Sequence, residues 1–135
     1  MYISELTVEG FRAFNQPFTV KLNKGLTVMV GENGAGKTGV ISALRQLFVD
    51  SEAGRYAVDD QDFHLGFAVG DARAQSFKVS ATFSALDMAE KLAFMAWEDI
   101  DHNTKLHLHV ETREYRARPK RSLWAGKTKA TVEPE

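Results

Sequence analysis

The sequence predicts an α/β fold in which an antiparallel pair of strands leads into a strand–loop–helix unit, and three features support this. The first is Gly31-Glu32-Asn33-Gly34-Ala35-Gly36-Lys37-Thr38, a complete GxxxxGK[ST] phosphate-binding loop. The second is the pair of flanks around it. Leu26-Thr27-Val28-Met29-Val30 reads as a short buried strand, and Val40, Ile41, Leu44, Leu47 and Phe48 recur at helical spacing. The third is the alternation of apolar and polar residues upstream, the period of half-buried strands.

The elements follow in order. Leu6 and Val8 alternate with Glu5, Thr7 and Glu9, so Tyr2 to Val8 is a strand. Gly10 to Pro17 interrupts it. Phe18, Val20 and Leu22 then alternate with Thr19, Lys21 and Asn23 in a second strand, and Asn23-Lys24-Gly25 turns tightly toward the loop. After the loop helix, Asp50 to Gly70 is polar and acidic without a clear period, and reads as an ordered loop or a short irregular segment. Phe77, Val79, Ala81 and Phe83 alternate with Lys78, Ser80 and Thr82 in another strand. Leu86, Ala89, Ala93, Ala96, Trp97 and Ile100 share one stripe, predicting a helix over about 85–100 buried along it. From Lys105 to Arg113 the period returns to two, with Leu106, Leu108 and Val110 facing in and His107, His109 and Glu111 facing out.

The loop has a definite chemistry. Gly31, Gly34 and Gly36 free the backbone to converge its N–H groups on phosphate oxygens, and the positive end of the next helix faces the same anion. Lys37 is placed to reach the terminal phosphates and the Thr38 hydroxyl to ligate Mg²⁺. The expected ligand is a nucleoside triphosphate.

Composition narrows the rest. The 135 residues suit one domain, and 44% hydrophobic content is enough for a core. There are no cysteines, which excludes disulfides and thiol chemistry. No stretch matches a membrane span or a signal peptide, so a cytoplasmic location without membrane attachment is expected. Residues 1–112 carry 10 Lys/Arg against 15 Asp/Glu, a balance of −5. Residues 113–135 carry 7 against 3, a balance of +4. The basic cluster (Arg113, Arg116, Arg118, Lys120, Arg121, Lys127 and Lys129) surrounds Tyr115 and Trp124 and is compatible with a nucleic-acid contact. The lack of sustained period, with Pro119 and Gly126, favours a solvated connector. The expected division is therefore 1–112 as a folded lobe and 113–135 as a basic connector or the start of a further segment.

Hydrolysis at such a loop needs a second acid at the end of an apolar strand. Phe94-Met95-Ala96-Trp97-Glu98-Asp99 is the one local look-alike, and it belongs to the helical stripe. His107 and His109 lie on one strand face, but no further ligand is evident and a polar exposed face is the simpler account. For Asp62-Phe63-His64, a functional acid and a helix-capping acid both remain open.

The opening Ile3-Ser4-Glu5-Leu6-Thr7-Val8-Glu9-Gly10-Phe11-Arg12-Ala13-Phe14, followed by the Gly-x-Asn-Gly-x-Gly-Lys-Thr loop, resembles the N-terminal lobe of ABC-type ATPase heads. These heads occur in the RecF and SMC group and in the OLD family of ATP-dependent nucleases. Leu44-Arg45-Gln46-Leu47-Phe48 and Asp60-Gln61-Asp62-Phe63-His64 resemble the OLD family most. The resemblance implies that Asn33, Gly34, Ala35, Gly36, Lys37, Thr38 and Gly39 hold ATP, with Lys37 as the catalytic cation. It also implies that Thr38 and Asp62 serve Mg²⁺ and that Arg12 touches the nucleotide. Gln61 is the alternative to Asp62 as the metal- or water-sensing residue, and Gly39 is awkward in a first helical turn.

In the family, nucleotide drives pairing of heads into a homo-oligomer. A C-terminal ATPase lobe completes each head, and in OLD proteins a Toprim nuclease domain cuts DNA. Neither the C-terminal lobe nor the Toprim domain is evident in these residues. The expected function is the ATP-binding lobe of an OLD-family ATP-dependent endonuclease. The alternatives are a RecF/SMC-like DNA-repair ATPase lobe and a regulatory module that binds ATP without turnover. The isolated chain is expected to be inactive.

Overall fold

A computed structural model of the chain describes residues 1–34, 36–48, 58–114 and 118–127. Its frame is a five-stranded antiparallel sheet of β1 (Tyr2–Glu9), β2 (Phe18–Lys21), β3 (Ser76–Ser84), β4 (Thr104–Glu111) and β5 (Lys120–Ala125). The strands lie in the order β2-β1-β3-β4-β5. β1 and β2 pair as their alternation predicts, Leu6 opposite Val20 and Val8 opposite Phe18. Val79 of β3 lies opposite Val8 on one side and Leu108 on the other. Because side chains alternate across a strand, this register gathers Leu6, Val8, Phe77, Val79, Ala81, Leu108 and Val110 on one buried face. α1 (Lys37–Phe48) covers that face with Val40, Ala43 and Leu47. Phe77 meets Phe11 and Phe63 edge to face, with centroids 4.9 and 5.2 Å away.

Four expectations need correction. Leu26 to Val30 is not a buried strand: the segment lies outside every ladder, and Leu26, Val28 and Val30 are 83%, 71% and 91% exposed. Its apolar residues have no adjacent strand among the described residues, and a strand without a neighbour cannot satisfy its backbone. On α1, Ile41 and Phe48 are exposed, while Ala43 and Gln46 take the buried positions beside Val40 and Leu47.

The expected helix over 85–100 is shorter. α2 (Met88–Phe94) runs into a 3-10 turn at Met95–Trp97, and Leu86 is the only member of the predicted stripe that is buried. A capping box formed by Asp87 and Glu90, rather than a buried face, starts α2. The fourth correction concerns the basic tail, read as connector, where Lys120–Ala125 forms β5 against β4. Arg121 stands at a core-side position of that strand, so the apolar alternation that marks a strand is hidden.

In the acidic stretch after α1, Asp60–Asp62 forms a 3-10 turn capped by Asp59, and residues 49–57 lie outside the described set. Arg116, Lys129 and Tyr115 lie outside it as well. No helix among the described residues is long and apolar enough to cross a membrane.

Candidate nucleotide-binding site

The chain enters α1 through two left-handed glycines, Gly34 at φ 87° and Gly36 at φ 98°. A side chain at either position would be strained, which is the reason for glycine there. Gly31, expected to share the role, does not adopt positive φ. Such reversals in a tight loop turn successive N–H groups toward one side and make an anion-binding concavity. α1 has no acidic residue in its first turn, so its positive end is open to the same anion. The Lys37 ammonium donates to the Glu32 carbonyl at 3.2 Å and to the Gly31 carbonyl, which folds it back over the loop. Asn33 and Thr38 are exposed beside it. Ala35 lies outside the described residues.

Sequence reasoning missed what lies under the loop. A Cβ on Gly36 would stand 2.8 Å from Phe14 Cζ, and one on Gly39 would stand 3.0 Å from Phe14 Cε2. The Phe14 ring, itself stacked on Phe18 with centroids 5.0 Å apart, therefore fills a groove made by two glycines three residues apart. That explains Gly39, whose low helix propensity is the cost of the close approach. The signal was present in the sequence as glycine in a first helical turn with an aromatic at the end of the Phe-Arg-x-Phe segment.

The residues from Phe11 to Phe14 form a tight turn closed by reciprocal backbone bonds of 3.0 and 2.9 Å. Arg12, at its apex side, has φ 49°. Its N–H donates to the Asp62 carbonyl at 2.9 Å, and its own carbonyl accepts from His64 Nδ1 at 2.7 Å. Its guanidinium reaches Asp62 Oδ1 through Nε at 3.1 Å and Nη2 at 3.0 Å. Asp62 is 3% exposed, and its other oxygen accepts from the Asp59 N–H at 3.0 Å and from Gln46 Nε2 at 3.5 Å.

Both Asp62 oxygens thus have protein partners. The capping reading left open by the sequence is realised: Asp62 closes a capping box with Asp59. Gln61 lends its backbone N–H to the Asp59 side chain at 3.4 Å.

From β5, Arg121 donates to Gln46 Oε1 at 2.9 Å and to the Gln46 carbonyl at 2.7 Å, although burial pulls the guanidinium pKa below its ordinary value. Away from the loop, His107 accepts from Ser80 Oγ at Nδ1 (2.7 Å), donates from Nε2 to the Gly126 carbonyl (3.1 Å) and stacks on Trp124. Among the described residues, no group of three or more His, Asp or Glu is placed to hold a metal ion.

The described residues fit a nucleoside triphosphate in kind: two left-handed glycines, the Lys37 ammonium and the exposed Thr38 hydroxyl stand together at the start of α1. Thr38 would supply one oxygen to Mg²⁺, and Lys37 would neutralise phosphate charge.

A family model for the AAA ATPase domain matches residues 1–121. The chain belongs to that family. The chromosome partition protein Smc of Mycolicibacterium paratuberculosis is 46% identical to this ATPase domain over 44 residues, which is 33% of this chain and 4% of that protein. Smc of Cereibacter sphaeroides is 31% identical over 103 residues, 75% of this chain and 9% of that protein. The ATPase domain thus spans only 4–9% of the length of these curated relatives.

A structure from work on ATP-driven dimerization and DNA-stimulated activation of SMC ATPases superposes with a TM-score of 0.69 at 21% identity. The match covers 97% of this chain and 73% of that one. The fold is therefore the α/β N-terminal lobe of an ABC-type ATPase head, as the resemblance implied.

Proposed function

We propose that this ATPase domain is the nucleotide-binding lobe of an SMC-like ATPase and binds Mg-ATP at residues 31–38. The observation that carries the reading is the loop itself, with Gly34 and Gly36 left-handed, α1 rising directly from it and Phe14 seated beneath it. Asn33 and the loop amides receive the β-phosphate, Lys37 the terminal phosphates and Thr38 the metal. The Smc relatives and the SMC-head fold support this reading, the alternative at the level of sequence, over the OLD-family endonuclease expected first, for which they offer no support.

Leu26, Val28 and Val30, exposed directly before the loop, support a requirement for a complementing lobe that lays a strand beside them. By analogy with the SMC ATPases, whose dimerization is ATP-driven and whose activation is DNA-stimulated, bound nucleotide would pair two completed heads on DNA.

Lys37→Ala removes a charge-assisted phosphate contact, and titration with a fluorescent ATP analogue should show binding weakened by about one to two decades, or roughly 1.5–3 kcal/mol. Unchanged affinity would remove the loop as the site.

A further inference from the structure

The arrangement around Arg12 is more constrained than a surface turn requires. A left-handed φ is unfavourable for a residue with a side chain, and it persists where the surroundings over-determine it. Arg12 is held at three places. Its N–H is bound by the Asp62 carbonyl, its carbonyl by His64 Nδ1, and its guanidinium by the Asp62 carboxylate. The carboxylate is almost wholly buried, while the arginine side chain is 41% exposed, so the pair presents a fixed cation with an outer edge in solvent. A buried charge needs such a partner, and it is costly unless its remaining lone pairs are also satisfied. Here the Asp59 N–H and Gln46 Nε2 occupy the second oxygen.

Gln46 belongs to α1, the helix that starts at Lys37, and is itself gripped by Arg121 of β5. Two residues beyond Arg12, Phe14 fills the groove of Gly36 and Gly39. One short turn therefore touches the phosphate loop at Phe14 and the buried carboxylate at Arg12.

We propose that Asp62 is a positioning residue: its buried carboxylate fixes the Arg12 guanidinium for the triphosphate held by the loop at residues 31–38, and it does so without binding the metal. The proposal rests on the nucleotide reading given above. Gln46 and Arg121 brace the carboxylate from α1 and β5, which gives a basic residue of the tail a place in the site's architecture.

The test is a double-mutant cycle on the full chain, with a fluorescent Mg-ATP analogue as probe and Lys37→Ala as reference. Arg12→Ala and Asp62→Asn should each weaken binding about tenfold, since each removes one charge-assisted contact or its orientation. In the Arg12→Ala background, Asp62→Asn should change affinity by less than about twofold, because its effect runs through the missing guanidinium. A purely structural role for Asp62 would weaken binding equally in both backgrounds and overturn the proposal, as would wild-type affinity in Asp62→Asn.

If Lys37→Ala loses binding while Asp62→Asn keeps it, only this inference fails. If Lys37→Ala binds normally, the nucleotide reading fails and the inference with it. Where circular dichroism shows Asp62→Asn unfolded, the same cycle with Asp62→Glu reads the coupling, because that change keeps the buried charge and moves it by one methylene.

Discussion

Downstream of the phosphate loop, α1 buries Val40, Ala43 and Leu47 against the sheet. Upstream, the equally apolar Leu26, Val28 and Val30 stand in solvent. Hydrophobicity does not separate the two flanks, because both are rich in branched aliphatic residues. The difference lies in where backbone hydrogen bonds can be made. A helix closes its own bonds and then needs only a surface to lie on, which β1 and β3 supply. A strand needs a neighbour, and among the described residues none pairs with residues 26–30. Met29 packs partly against the core, so the upstream flank touches it at one residue but its backbone is left without a ladder.

The built side should resist least where its aromatic cluster is cut. Phe77→Ala removes a ring in contact with both Phe11 and Phe63 and should cost about 3–5 kcal/mol of stability in urea unfolding. A cost below about 1 kcal/mol would mean that this face is not packed as described.

The outer face of the same sheet offers a smaller, pH-dependent test. Burial holds the His107 pKa below its ordinary 6.5, against the opposing hydrogen bond to the Gly126 carbonyl and with a further lowering by Lys105. The unfolded chain therefore binds a proton at this residue more readily than the folded one. The stability that the neutral ring contributes is complete above pH 6.5 and is lost as pH falls through the lowered folded value. Thermal melts of wild type and His107→Gln should converge toward wild-type disadvantage below that pH, and parallel curves would deny the shift.

The smallest effect belongs to the open flank. Val30→Thr should change the stability of this chain by no more than about 0.5 kcal/mol, since the side chain is already in water. A loss above about 1.5 kcal/mol would show that the flank is packed after all.

These contrasts also explain what could be read from the residues. β1, β2, β3 and β4 were legible because Leu6/Val8, Phe18/Val20, Phe77/Val79/Ala81 and Leu106/Leu108/Val110 alternate cleanly. The loop and the start of α1 were legible because the glycine spacing encodes backbone geometry directly. β5 was not, because Arg121 occupies a core-side position where a hydrogen-bonded guanidinium replaces an apolar residue.

The stripe over 85–100 misled because local period does not reveal whether anything lies opposite it, and α2 has no buried residue. Leu26 to Val30 misled for the same reason in strand form. In the site, Lys37, Thr38 and the glycines were visible in order. Phe14 under Gly36 and Gly39, and the chain of contacts from Arg12 to Arg121, join residues up to 109 positions apart and have no local signature.

The most direct test of the two-flank account is amide hydrogen exchange on the full chain. The account predicts strong protection at Leu6 and Val8 of β1 and at Val79 of β3, with Leu26 to Val30 exchanging near the rate of an unstructured peptide. Protection at Leu26 to Val30 equal to that of β1 would place a strand partner beside them and contradict the claim that this flank is open.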